Sequence, residues 1–209
     1  MTGVQTCALP ICKAAAKAEL GIPADQKLIV SVWGSLGATR MNEIMADFIA
    51  ETHADSDFCL IHSAGAERYH VMMERLHSLC PAGWARANYD VRPYIYDMSR
   101  VMAAADLVVC RAGASTLAEL ALMGKPCVLV PSPNVTNNHQ EKNARVLEHL
   151  GGAVVLVESG LTAEAFTQTV RELIDDEERL NTMAQAMLQA APVDAADRMT
   201  EVVLRLAQK

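Results

Sequence analysis

"ADLVVCRAGASTLAELALMGKPCVLVP", residues 105–131, decides the fold. A short apolar run, "DLVVC", gives way to small residues and then to "STLAELALM", whose leucines recur at helical spacing. A second apolar run, "PCVLVP" (126–131), closes the unit. Uninterrupted apolar strands joined by a helix suit a parallel βαβ unit in which both faces of the sheet are covered.

The same alternation extends outward in both directions. Upstream, "KLIVSVW" (27–33) predicts a buried strand, "ATRMNEIMADFIAET" a helix with Met41, Ile44, Met45, Phe48 and Ile49 on one face, and "DFCLIHS" (57–63) a second strand. A helix across "ERYHVMMERLHSL", a short strand in "YDVRPYI" (89–95) and a small helix "DMSRVMAAA" come next. Downstream lie the helix "HQEKNARVLEHL", the strand "AVVLVE" (153–158) and, from residue 162, helical patterns alone. The expected architecture is α/β: an open, doubly wound, Rossmann-like parallel sheet of about six strands in a single domain, residues 13–209. Residues 1–12, "MTGVQTCALPIC", share no period with the helix and strand pattern that begins at Lys13. They read as a leader foreign to the domain, with the natural protein extending further upstream.

Composition narrows the function classes. The formal charge of −7 lacks the basic excess that displaces counterions from nucleic acid. No apolar stretch nears the roughly 20 residues of a spanning helix. The six cysteines are irregularly spaced with no C-x-x-C pair, as expected of small hydrophobes in a reducing cytosol. His53, His62, His70, His77 and His149 form no zinc-binding pattern, and no G-x-S-x-G elbow is present, so neither a metal centre nor a serine nucleophile is expected.

In such sheets ligands meet the loops beyond the strand carboxyl ends, where helix N-termini present unpaired N–H groups. "WGSLGA" (33–38) carries Gly34 and Gly37, which let backbone approach a ligand, and Ser35, which either meets a phosphate or merely caps the next helix. In "RAGASTLAE" (111–119), Gly113 and Ala114 leave room against the main chain and the amides of Ser115 and Thr116 face the pocket. Arg111 offers charge to a diphosphate or is a surface cation. Glu119 accepts both hydroxyls of a ribose, or completes a capping box with Thr116 and binds nothing. "PSPNVTNNHQEKN" (131–143) supplies Asn137, Asn138, Gln140 and Asn143, amides suited to sugar hydroxyls, with His139 assigned to the surface. "YIYDM" (94–98) places Tyr94 and Ile95 at a strand end, to hold a flat base or to fill core.

"GSLGA", "YIYDM" and "DLVVCRAGASTLAELALMGKPCVLVPSPNVTNNHQEKNA", in that order, resemble the carboxyl-terminal half of the MurG-type glycosyltransferases over roughly residues 13–205. The resemblance implies the carboxyl-terminal domain of a GT-B enzyme that transfers GlcNAc from UDP-GlcNAc to undecaprenyl-pyrophosphoryl muramyl pentapeptide. That reaction is inverting and needs neither metal nor cofactor. It further implies that Ser35 contacts the diphosphate and Ile95 meets uracil through its backbone. Ala114, Ser115, Thr116, Leu117, Ala118 and Glu119 line the nucleotide, with Glu119 on the ribose, while Gln140 and Asn143 hold GlcNAc.

The small residues after Arg111 then clear a bed for UDP. Trp33 stands where the family often has glycine, and His139 where some members have glutamine. The acceptor-binding amino-terminal domain, with the general base and the membrane-facing surface, is expected to be missing. By this resemblance the fragment alone is inactive, and the whole protein is peripheral on the cytoplasmic face of the membrane. Other UDP-sugar GT-B transferases, of glycolipid or two-subunit dolichol-linked type, and a non-catalytic nucleotide-binding module share the UDP bed and remain alternatives.

Overall fold

The structure is a computed structural model and describes residues 12–34, 36–54, 57–84, 88–191 and 194–207. Its elements, in chain order, are α1 (Lys13–Glu19), β1 (Lys27–Val32), α2 (Thr39–Thr52), β2 (Phe58–Ser63), α3 (Tyr69–Leu79), β3 (Tyr89–Arg92), α4 (Met98–Ala104), β4 (Leu107–Cys110), α5 (Ala114–Leu122), β5 (Cys127–Leu129), α6 (His139–His149), β6 (Ala153–Val155), α7 (Ala163–Asp175), α8 (Glu177–Gln189) and α9 (Ala195–Ala207). The strands form one sheet in the order β3-β2-β1-β4-β5-β6, and every pairing is parallel. This is the Rossmann-like, doubly wound arrangement that the alternating pattern implied. Strand order reverses between β1 and β4, so the crevice of the fold opens above that pair.

Alternate strand residues define two cores. Ile29, Leu60, Val109 and Val128 pack with α2, α3 and α7, where Phe48 meets Phe166 edge-on at 5.7 Å between ring centroids. Leu28, Val30, Val108 and Leu129 pack with α4, α5 and α6 on the opposite face. All five apolar residues expected on the inner face of α2 are buried. The strand thiols behave as small hydrophobes: Cys59, Cys110 and Cys127 are buried, and burial pushes the Cys110 thiol up to about 12.

The strand amino ends are held by charge. Asp106 accepts from the Leu28 N–H at 2.7 Å and pairs with Lys13 and with Lys17, the latter at 2.9 Å, which fastens α1 to β1 and β4. Burial opposes ionisation of Asp106, but the hydrogen bonds from the two lysines and from Leu28 prevail and hold its pKa below the usual value. Lys125 donates to the Ala103 and Ala105 carbonyls at 2.7 and 2.9 Å, and burial lowers its pKa to about 8. On α9, Met199, Val202, Val203 and Leu206 form an exposed apolar stripe, and none of its described residues is buried.

One buried group makes stability depend on pH. His62, paired to Ser31 Oγ at 3.0 Å through Nδ1, is wholly buried, and desolvation lowers its imidazole from 6.5 to about 3. The native state excludes the proton that the unfolded chain takes up below its pKa, so this stability is present in full above pH 6.5 and lost as pH falls toward 3. Between pH 6.5 and 5 the loss from this group amounts to about 2 kcal/mol. Urea unfolding at pH 7 and pH 5 should show a drop in the wild type that is smaller by about this amount in His62→Gln.

Candidate functional site

The site is assembled from loops at the carboxyl ends of adjacent strands. Val32, the last residue of β1, is in register with Cys110, the last of β4, so the segments that start at Trp33 and Arg111 leave the sheet side by side. Neighbouring strands lie about 4.8 Å apart, close enough for both corners to touch one diphosphate. α2 follows the first corner with Ala38 at its N-cap, and α5 follows the second with Gly113 at its N-cap. Neither N-cap residue makes a side-chain hydrogen bond. Two helix N-termini thus direct N–H groups and positive dipole ends toward one crevice, the electrostatics an anion requires.

The glycines of these corners do different work. Among the described residues, an added Cβ at Gly34, with φ 81°, would meet nothing within 4 Å, and one at Gly113 only Thr116 Oγ1 at 3.8 Å. Both face open space, as a close-lying ligand demands. Gly37 does not, although it too was expected to admit a ligand: a Cβ there would sit 2.1 Å from the Ala64 carbonyl oxygen. Gly37 is small because the β1–α2 loop lies backbone to backbone on the β2–α3 loop. Gly65 completes that contact, since its own Cβ would fall 2.5 Å from the Gly37 nitrogen. Asn42 Nδ2 donates to the Ala64 carbonyl at 2.8 Å, Arg68 Nε to Thr39 Oγ1 at 3.0 Å, and Arg68 Nη1 to the Leu36 carbonyl. Ser35 lies outside the described residues.

On α5, Ala114 and Ser115 are exposed and Thr116 and Ala118 half-buried, all in the first turn and a half. Leu117 points into the core and its N–H bonds the Gly113 carbonyl, so it supplies packing under the helix instead of a polar contact. Ala112 is fully buried; its small size serves the core and leaves the ligand-side clearance to Gly113 and Ala114. The capping box is ruled out because the helix begins two residues before Thr116. Glu119 is exposed, and the groove of about 1780 Å³ that it lines along α4 and α5 is formed mainly by Lys13, Lys17, Asp106 and Lys125 at the strand amino ends and by α8, away from the carboxyl-end corners. Met98 and Ser99, the first turn of α4 after the loop of Tyr94 and Ile95, also line this groove. The Ile95 side chain is core, leaving its backbone for recognition. Tyr94 is half-exposed and meets Tyr96 edge-on at 4.9 Å.

Beyond β5, Asn137 and Asn138 adopt consecutive left-handed conformations, with φ 55° and 52°, and turn the chain into α6. Asn138 Nδ2 donates to Glu141 at 2.6 Å, and this bond holds the Glu141 carboxyl below its usual pKa. Gln140 is half-buried, and its Oε1 accepts from the Ser132 N–H at 2.9 Å, which fixes the side chain and leaves its amino group and the second lone pair of Oε1 for other partners. Asn143, one turn on, is half-buried, and His139 is exposed.

Arg111 has partners that no local pattern suggested. Its Nη1 donates to the Val130 carbonyl at 3.1 Å, to the Pro131 carbonyl at 3.3 Å and to Glu158 Oε2, and its guanidinium lies 5.6 Å from the centre of the Trp33 ring. Its charge is met by Glu158, which was absent from the expected site.

The glycosyltransferase family 28 C-terminal domain model matches residues 28–199. The chain belongs to this family. It is 38% identical over 195 residues to the UDP-N-acetylglucosamine–N-acetylmuramyl-(pentapeptide) pyrophosphoryl-undecaprenol N-acetylglucosamine transferase of Acetivibrio thermocellus, covering 93% of this chain and 52% of that protein. A transferase of the same name from Bacillus cereus is 37% identical over 193 residues, covering 92% of this chain and 52% of its own length. The crystal structure of Acinetobacter baumannii MurG superposes with a TM-score of 0.76 at 28% identity, over 94% of this chain and 54% of that one. This family 28 domain therefore spans about half the length of the relatives it matches. Among its described residues no helix is long and apolar enough to cross a membrane.

What sequence reasoning missed in this family 28 domain is its supporting frame: Asn42, Gly65, Arg68 and Glu158. Gly65, directly after the run ending "HSA", carried a usable signal, since it repeats the strand-then-glycine pattern of Gly34 and Gly113. Glu158 carried none, because its partner lies 47 residues away.

Proposed function

We propose that this family 28 domain binds the donor UDP-GlcNAc for an inverting, GT-B-type GlcNAc transfer to a lipid-linked muramyl pentapeptide. The reading rests on the pair of uncapped helix N-termini, with Gly34 and Gly113 facing open space, at the ends of the in-register strands β1 and β4. The activity for which the relatives are named supplies the sugar and the acceptor.

In the proposed reaction the acceptor hydroxyl attacks the anomeric carbon, that carbon inverts, and the bond to the diphosphate breaks with its electron pair passing to UDP. The N–H dipoles of α2 and α5 are fixed before the reaction, so they stabilise the departing charge without reorganising. Ser35 adds a hydroxyl to the diphosphate. Glu119 holds the ribose, the Ile95 backbone the uracil, and the amino group of Gln140, with Asn143, the sugar. The acceptor and the general base belong to a second, amino-terminal domain of the whole protein, which works at the cytoplasmic face of the membrane. Residues 13–209 are one donor-binding domain that turns over nothing by itself.

Calorimetric titration tests this reading. The chain should bind UDP in preference to ADP, and Gln140→Ala should weaken UDP-GlcNAc by about tenfold while changing UDP itself little, as expected for one neutral hydrogen bond. Equal affinity for UDP and ADP would contradict the proposal.

A further inference from the structure

We infer that Trp33, Arg111 and Glu158 form a strut across the carboxyl edge of the sheet, and that these positioning residues set the spacing of the two corners that hold the diphosphate. The inference deepens the proposed donor site and rests on it.

The strut follows from strand alternation. Trp33 continues the side of β1 marked by Ile29 and Ser31, and Arg111 continues that of β4 marked by Leu107 and Val109, so the two side chains emerge on one face of the sheet. There the guanidinium lies 5.6 Å from the indole centroid, within cation–π range. Its donors reach the Val130 and Pro131 carbonyls at the end of β5 and the Glu158 carboxylate beyond β6. One side chain thereby ties together the outlets of β1, β4, β5 and β6. Both ends of the ion pair are shielded, with side-chain exposures of 16% and 14%, where a charge pair is less screened than at the surface.

The indole also carries a penalty that points to its use. Trp33 is 3% exposed and its Nε1 has no hydrogen-bond partner among the described residues, so the position keeps a ring whose polar atom goes unsatisfied. What the ring provides is a flat face beneath Arg111. Trp33 immediately precedes Gly34, and Arg111 stands two residues before Gly113, so any shift in the stack moves both open corners.

The alternative role for Arg111, a direct ligand of the diphosphate, predicts the opposite sign in one variant. Glu158→Gln keeps the volume and removes the charge. A strut is loosened by it: UDP binding weakens by about tenfold, while uridine, which lacks phosphates, changes by less than about twofold. Trp33→Ala should behave alike, and Trp33→Phe, which keeps an aromatic face, should recover most of the affinity. A phosphate ligand held back by Glu158 would be released instead, and tighter UDP binding in Glu158→Gln overturns the inference. Unchanged UDP affinity, or equal losses for UDP and uridine, overturns it as well. A wild-type chain that binds neither compound refutes the donor-site reading but leaves the strut measurable: amide exchange at Gly37 and Leu117, whose N–H groups bond the Gly34 and Gly113 carbonyls, should rise by about tenfold in Glu158→Gln, and unchanged exchange there overturns it.

Discussion

Glu119→Ala should weaken UDP binding by roughly a hundredfold and leave the fold untouched. A carboxylate that accepts both ribose hydroxyls makes two charge-assisted hydrogen bonds, and losing them removes about 3 kcal/mol, which is about two decades of affinity. The fold should not notice. Glu119 is exposed on α5, Thr116 is not the N-cap residue that a capping box requires, and surface substitutions away from such features stay within about 0.5 kcal/mol. Calorimetry with UDP and with 2′-deoxyuridine diphosphate separates the ribose contact from general damage. The wild type should distinguish the two nucleotides and Glu119→Ala should not. A variant that binds UDP as the wild type does would remove the carboxylate from the site.

Gly37→Ala should destabilise the domain by about 3–5 kcal/mol, through two additive causes. Its φ of 69° is left-handed, which costs an L-residue about 1–2 kcal/mol. The new methyl would also lie 2.1 Å from the Ala64 carbonyl oxygen and 3.2 Å from the Gly65 Cα. These are backbone atoms of a loop pinned by Asn42 and Arg68, so the clash cannot be relieved by turning a side chain. Gly34→Ala is the control. It has a similar φ of 81° but no described atom within 4 Å of the new methyl, and should lose only the conformational part, about 1–2 kcal/mol. Urea midpoints of the two variants should differ accordingly, and equal midpoints would refute the packing argument. Ligand binding should reverse the order, since a methyl at Gly34 intrudes on the ligand side and one at Gly37 does not.

The contrast between those two glycines marks how far local pattern reaches. "WGSLGA" shows both as residues of a strand-to-helix turn, and nothing nearby in sequence reveals that Ala64 stands over one of them. Thr116 and Glu119 have the spacing of a capping box, yet the helix starts earlier, at Ala114, because Gly113 takes the extended N-cap conformation that ends the strand segment. Arg111 reads as a cation at a strand end, either offered to a diphosphate or lying at the surface. Its partners come from β5 and from beyond β6, each brought near only by parallel pairing.

The order of strands and helices and the two buried faces of the sheet were legible in the amino-acid sequence, because hydrophobic periodicity is a short-range property: each element records in its own residues which side it will bury; the family was legible only through the resemblance of the loop motifs. The tertiary structure decided which glycine faces open space, which supports another loop, and where the charge of Arg111 goes. Those outcomes depend on strand register and on atoms tens of residues apart, and such proximity is created by folding alone.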